Sequence, residues 1–167
     1  MRFDFKKIKI PLIYSIIIVA GVVFDQISKL LATAYIKGEI TVLGKLLHFA
    51  YVENRGAAWG MLADHRWVFM LVSTVAIIAF GVYLYCFKVP NLLYGVAIAM
   101  VISGGVGNMI DRVALGYVVD FLKFAFIDFP VFNIADSLVC IGAGLLILAL
   151  LLDVIKESKA KKNGDKK

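Results

Sequence analysis

Four aspartates, Asp25, Asp111, Asp120 and Asp136, stand within or beside long apolar runs, where a charged group is costly. Two of them carry a cation close by in sequence. Asp25 precedes Lys29 by four positions, the favourable acid-first order for a pair on one helix face, and Asp111 is followed at once by Arg112. Asp120 and Asp136 have no basic residue within two positions. Carboxyl groups without a local counter-ion are candidates for proton chemistry. Each also has a plainer reading. Asp136 follows Asn133-Ile134-Ala135, so an asparagine N-cap with an acid three residues on explains it as a helix cap. Asp120, in Tyr117-Val118-Val119-Asp120-Phe121, reads equally as a solvated loop carboxylate.

The elements that must position these groups are membrane spans. Hydrophobic residues make up 62% of the 167 and charged residues 18%, against about 45–50% and about 25% in a soluble domain. The excess excludes an ordinary soluble core. Four stretches, about 9–34, 67–87, 91–111 and 134–155, are long enough to cross a bilayer, which takes about 20 apolar residues. They form one transmembrane domain over 1–155, followed by a basic tail, 156–167, expected to be disordered. The first stretch has the outline of a secretory signal peptide ending at Ala32-Thr33-Ala34, but Asp25 and Lys29 interrupt it before that point, so it reads as a span.

The net charge of +6 does not indicate nucleic acid. Ten of the 18 basic residues lie in the two tails, as beside cytoplasmic span ends. Both termini are therefore expected in the cytoplasm, in contact with anionic membrane lipid. Residues 35–66 and 112–133 then lie outside. Cys86 and Cys140 sit singly in apolar runs, and His48 and His65 are isolated, so neither a disulfide framework nor a metal site is expected.

Helix rise converts this topology into depth. Asp136 precedes Lys156 by 20 residues, Asp111 follows Pro90 by 21, and Asp25 follows Lys9 by 16. At about 1.5 Å per residue these are roughly 30, 32 and 24 Å from the inner face. Three helices deliver acid to one level, at or just below the outer interface. Asn108, three residues before Asp111, shares its face. Ser103-Gly104-Gly105-Val106-Gly107 before it supplies small residues for close helix approach. In the outer regions, Ile40–Leu43, Leu46–Val52 and Tyr117–Phe121 are β-prone. Gly56–Leu62 is short and apolar enough for an interfacial helix.

Taken in order, five blocks resemble lipoprotein signal peptidase, or signal peptidase II. They are Asp25-Gln26-Ile27-Ser28-Lys29; Glu53-Asn54-Arg55-Gly56-Ala57-Ala58-Trp59-Gly60; Gly104-Gly105-Val106-Gly107-Asn108-Met109-Ile110-Asp111-Arg112; Gly116-Tyr117-Val118-Val119-Asp120-Phe121; and Phe132-Asn133-Ile134-Ala135-Asp136-Ser137. Trp59 stands where that family often has phenylalanine. The resemblance implies an all-α bundle of four transmembrane helices, with a small extracytoplasmic β-cradle built from residues 35–66 and a short interfacial helix. It implies an aspartic endopeptidase of the bacterial cytoplasmic membrane, without metal or cofactor. Such an enzyme removes the signal peptide of prolipoproteins before their diacylglyceryl-modified cysteine, and globomycin-type cyclic peptides inhibit it. Asp120 and Asp136 would be the catalytic pair. Asp25, Lys29, Asn54, Gly56, Gly104, Asn108, Asp111, Arg112, Asn133 and Ala135 would bind substrate or support the site. A monomer is expected.

In such a pair two nearby carboxyls share one proton. Asp136, at a helix N-terminus, is the expected base and Asp120 the acid. Arg112 and Lys29 either balance the buried acids or hold a substrate carbonyl or lipid phosphate. The β-prone run at Asp120 is expected to pair with an extended substrate. A proton-coupled transporter would instead line a path through the membrane with its charges, and a scaffold would not need polar groups at one level.

Overall fold

The structure, a computed structural model, describes residues 5–56 and 66–164. Four long helices dominate it: α1 (Phe5–Tyr35), α2 (Arg66–Cys86), α3 (Leu92–Ala114) and α4 (Ile134–Gly164). All four are long and apolar enough to cross a membrane. Large side chains such as Ile16, Val19, Leu71, Val75 and Leu151 are exposed along their flanks, as lipid-facing surface requires. The expected interfacial helix at Gly56–Leu62 lies, apart from Gly56, outside the described residues.

α3 is the hub. Asn91 caps it, accepting from the backbone N–H of Leu93 and Tyr94. α1 and α4 both pack closely on α3, and the glycines set how closely. A Cβ on Gly104 would overlap the backbone carbonyl oxygen of Ala135, and one on Gly107 would run into the Asp25 carboxylate. These positions exclude a side chain because another backbone or a charged group occupies its space. α2 differs. Among the described residues it packs on α3, touches α1 through a Ser15–Tyr85 hydroxyl bond of 2.8 Å, and forms no packed seam with α4.

Three antiparallel strands, β1 (Ile40–Thr41), β2 (Leu47–Asn54) and β3 (Val118–Phe124), make a sheet in the order β1-β2-β3. The small cradle expected from residues 35–66 thus gains a third strand from the loop after α3, where Tyr117–Phe121 was read as β-prone. Gly116 makes this possible. At φ 85° it takes a left-handed conformation that ends α3, with Leu115 and Gly116 N–H both donating to the Asp111 carbonyl, and sends the chain back along β2. Val52 faces Asp120 and Asn54 faces Val118 across the ladder. Ala32, Ile36, Val119 and Phe121 form a buried cluster that fixes the sheet to the end of α1.

Two boundaries also differ from expectation. α3 continues past 111 to Ala114, so Asp111 lies within the helix. α4 runs on to Gly164, so 156–164 is helical where disorder was expected. Lys, Glu and Ala there are strong helix formers, and lysines suit a helix C-terminus.

Candidate active site

Six polar side chains are buried at the end of the bundle that carries the sheet, Asp25, Lys29, Asn108, Asp111, Asp120 and Asn133, while Ser103 is buried deeper in the bundle, donating to the Ile18 carbonyl at 3.0 Å. Burial of so many demands partners. Among the described residues no buried side-chain polar atom lacks one.

Lys29 occupies the centre. Its Nζ lies 2.9 Å from Asp25 Oδ2 and 3.0 Å from Asp111 Oδ2, and donates to Asn108 Oδ1 at 2.9 Å. The pairing of Asp111 with Arg112 suggested by their adjacency does not form. Consecutive residues on a helix point in different directions, and Asp111 turns to α1 while Arg112 donates to the Asn108 carbonyl at 3.3 Å and lies over the Phe69 ring at 5.6 Å. The two acids then reach outward. Asp25 Oδ1 accepts from Ala135 N–H at 2.9 Å, in the first turn of α4, and Asp111 Oδ2 accepts from Val119 N–H at 3.0 Å, beside Asp120. One buried lysine thus ties α1 to α3, and its partners hold the start of α4 and strand β3.

Asparagines link this cluster to the other two aspartates. Asn108 Oδ1 also accepts from Asn133 Nδ2 at 3.0 Å, which leaves Asn108 Nδ2 to donate to Asp136 Oδ1 at 2.7 Å. Asn133 caps α4 as expected, its Oδ1 accepting from Asp136 N–H at 2.9 Å while Asp136 Oδ2 accepts from Asn133 N–H at 3.2 Å. The same asparagine donates from Nδ2 to Asp120 Oδ1 at 2.6 Å. The cap and the contact with Asp120 are therefore two uses of one residue. Asn54, on the last position of β2, donates to Asp120 Oδ2 at 2.8 Å, and Gly56 N–H fixes its amide by donating to Oδ1 at 3.0 Å.

Asp120 and Asp136 both line a cleft of about 580 Å³. Arg112 and Asn54 line it as well, with Phe69 of α2 and Cys140 and Ile141 of α4. Burial pushes the Asp120 carboxyl up to about 7. The hydrogen bond from Asn54 works against that rise, and the charge of Asp136 adds to it. A carboxyl there can hold or release a proton near neutral pH. Among the described residues no group of three or more His, Cys, Asp or Glu is arranged to hold a metal ion.

All twelve residues singled out in the sequence lie in this network or against it, Gly104 and Ala135 through their mutual contact. Gln26 was missed as a site residue. Its Nε2 donates to Asp25 Oδ2, Asp111 Oδ1 and the Gly107 carbonyl, at 3.0–3.1 Å. Only its place next to Asp25 hinted at it. Phe69 was missed as well, since one aromatic in an apolar span carries no signal. The expectation that β3 pairs with substrate is corrected. β2 holds one edge, and along the other Val119 is bonded to Asp111 and Asn133 while Phe121 and Leu122 are bonded to Phe132.

A family model described as signal peptidase (SPase) II matches residues 17–152. A lipoprotein signal peptidase of Caldanaerobacter subterraneus subsp. tengcongensis is 47% identical, over 79% of this chain and 92% of its own length. One from Lactiplantibacillus plantarum is 38% identical over 84% of this chain and 95% of its own. Two solved bacterial membrane enzyme structures, each 37% identical, superpose with TM-scores of 0.79 and 0.76, covering 84% and 83% of this chain and 88% and 92% of theirs. With the match spanning the cleft and all four helices, the chain belongs to the lipoprotein signal peptidase (signal peptidase II) family.

Proposed function

We propose that this protein is an aspartic endopeptidase that removes signal peptides from prolipoproteins, cutting before the diacylglyceryl-modified cysteine. Family membership supports the protease and its prolipoprotein substrate. The observation that carries the aspartic mechanism is Asn133, which holds Asp120 with its side chain and Asp136 with its backbone on the wall of one cleft.

Asp120, whose carboxyl burial pushes up to about 7, is the acid. Asp136, both of whose oxygens accept N–H bonds, is the base. Asp136 takes a proton from water as the water oxygen attacks the scissile carbonyl carbon, and Asp120 gives its proton to the carbonyl oxygen. The tetrahedral intermediate collapses with rupture of the C–N bond. The proton on Asp136 goes to the leaving amine, and Asp120 recovers its own from the hydroxyl. No bond to the enzyme forms. Asp25, Lys29, Gly104, Asn108, Asp111 and Ala135 support the pair from behind, and Asn54, Gly56 and Arg112 border the substrate.

The orientation follows from the basic termini, which assign them to the cytoplasm and the cleft to the outer face of the cytoplasmic membrane. The gap between α2 and α4 suits such a substrate, because its acyl chains stay in lipid while the peptide enters sideways. Globomycin-type cyclic peptides would occupy the same cleft. The enzyme works as a monomer, since one chain supplies both aspartates.

The test is purified protein with a diacylglyceryl-modified prolipoprotein. Asp120→Asn and Asp136→Asn should each slow cleavage by about 10²–10⁴-fold. Near-wild-type turnover in either variant removes the dyad.

A further inference from the structure

Phe129–Phe132 runs along the covered edge of β3. Phe132 forms an antiparallel bridge with Leu122, donating to the Leu122 carbonyl at 2.9 Å and accepting from its N–H at 2.8 Å. In such a ladder the N–H and C=O of one residue point to the same side, and those of the next residue point to the opposite side. Phe132 faces the sheet, so Val131 faces away from it. Among the described residues no group bonds the Val131 backbone. On that same side the Phe129 N–H is taken by the Ile127 carbonyl at 3.1 Å and the Asn133 N–H by Asp136. Val131 lines the same cleft as Asp120 and Asp136.

We propose that Val131 is the backbone docking point for substrate, its N–H and C=O pairing in β fashion with an extended stretch of the polypeptide beside the scissile bond. This rests on the peptidase reading. A peptide leaving a helical span must be extended to be cut, and its freed amides need partners at a membrane interface. Val131 offers an N–H and C=O pair that the described residues leave open, on the segment bridged to β3. It lies two residues before Asn133, or about 7 Å in extended chain, so a strand bonded there passes the two aspartates within a couple of residues. β-Addition at this edge gives affinity from the main chain without demanding particular side chains, which suits an enzyme with many substrates.

The probe is a synthetic lipopeptide bearing the diacylglyceryl cysteine. In the full-length enzyme, Val131→Pro removes the N–H and leaves the Phe132 bridge intact. KM should rise roughly three- to tenfold, the effect of one hydrogen bond, with kcat little changed. An unchanged KM at wild-type Tm overturns the proposal. If Val131→Pro does not fold, wild-type enzyme with lipopeptides in which each backbone N–H near the cut is replaced in turn by an ester oxygen decides. A rise in KM at one position supports docking, and a flat scan overturns it. A flat result alongside inactive Asp→Asn variants removes only the docking point, whereas active Asp→Asn variants remove the peptidase mechanism itself.

Discussion

The two walls of the cleft are made of opposite materials. On one side stand α3, the first turn of α4, β3 and the end of β2, joined by the Lys29 cluster and three asparagines. On the other stands α2, which brings Phe69 to the cleft and leans on α3. Half of the membrane-crossing window of α3 is buried, against 6% of that of α2. Both helices are apolar and of similar length, so hydrophobicity does not distinguish them. The difference is that α3 alternates small residues with Asn108 and Asp111, which let neighbours approach and then bind them, whereas α2 presents bulky side chains to lipid. A wall that holds two carboxyls must be rigid to fractions of an ångström. A wall past which the proposed lipid-bearing substrate would enter must be able to yield.

The sharpest way to break this contrast is Gly104→Ala. The added methyl would overlap the Ala135 carbonyl oxygen and crowd Val139, and a backbone oxygen cannot rotate away as a side chain can. The first turn of α4 must shift, taking with it the Ala135–Asp25 bond and Asp136. We expect a loss of about 1–3 kcal/mol, read as a lower Tm in detergent. Turnover should fall by about 10²-fold, as when catalytic groups are displaced by an ångström. Wild-type Tm and turnover would show that the rigid wall is soft.

Much of this wall was legible in the sequence because helical depth is a one-dimensional count. The levels of Asp25, Asp111 and Asp136 follow from rise per residue, and the Asn133 cap from local spacing. The two catalytic assignments came with the family resemblance. What the sequence did not reveal is what depends on pairing across distance. The register of Val118–Phe124 on Leu47–Asn54 joins segments far apart in the chain, so nothing local shows that Asn54 reaches Asp120. Phe132 closing the edge of β3 also joins residues ten apart, with no local sign of it. Adjacency misled for Asp111 and Arg112, because the helix turns them apart. Gln26 looks like any polar residue beside an acid, and only its three acceptors reveal its role.

A subtler probe of the rigid wall is Asn54→Ala, read through pH. The proposed acid, Asp120, must hold its proton, so activity is lost as pH rises through its value of about 7. Asn54 donates to the carboxylate and thereby favours the ionised form. Without that bond Asp120 keeps its proton to higher pH, and the alkaline limb of kcat/KM should move upward by about one pH unit. A downward shift would mean that another group sets that limb. Stability follows the same sign, since a carboxyl whose value rises on folding costs the fold stability as pH climbs from the usual carboxylate range through about 7.

The smallest effect is expected on the loose wall, from the same change made on the rigid one. Gly81 lies inside α2, and among the described residues a Cβ built there meets nothing within 4 Å. With no clash, helix propensity decides, and alanine is favoured over glycine by about 0.5–1 kcal/mol in a helix interior. Gly81→Ala should therefore raise Tm slightly and leave turnover unchanged. The comparison with Gly104→Ala is controlled, because the substitution is identical and both sites are in membrane-crossing helices. Only the neighbour differs, a backbone carbonyl in one case and open lipid-facing space in the other. A loss at Gly81 as large as that at Gly104 would require something packed against α2 that the described residues do not supply, such as a second copy. The yielding wall would then have to be reassigned as an interface.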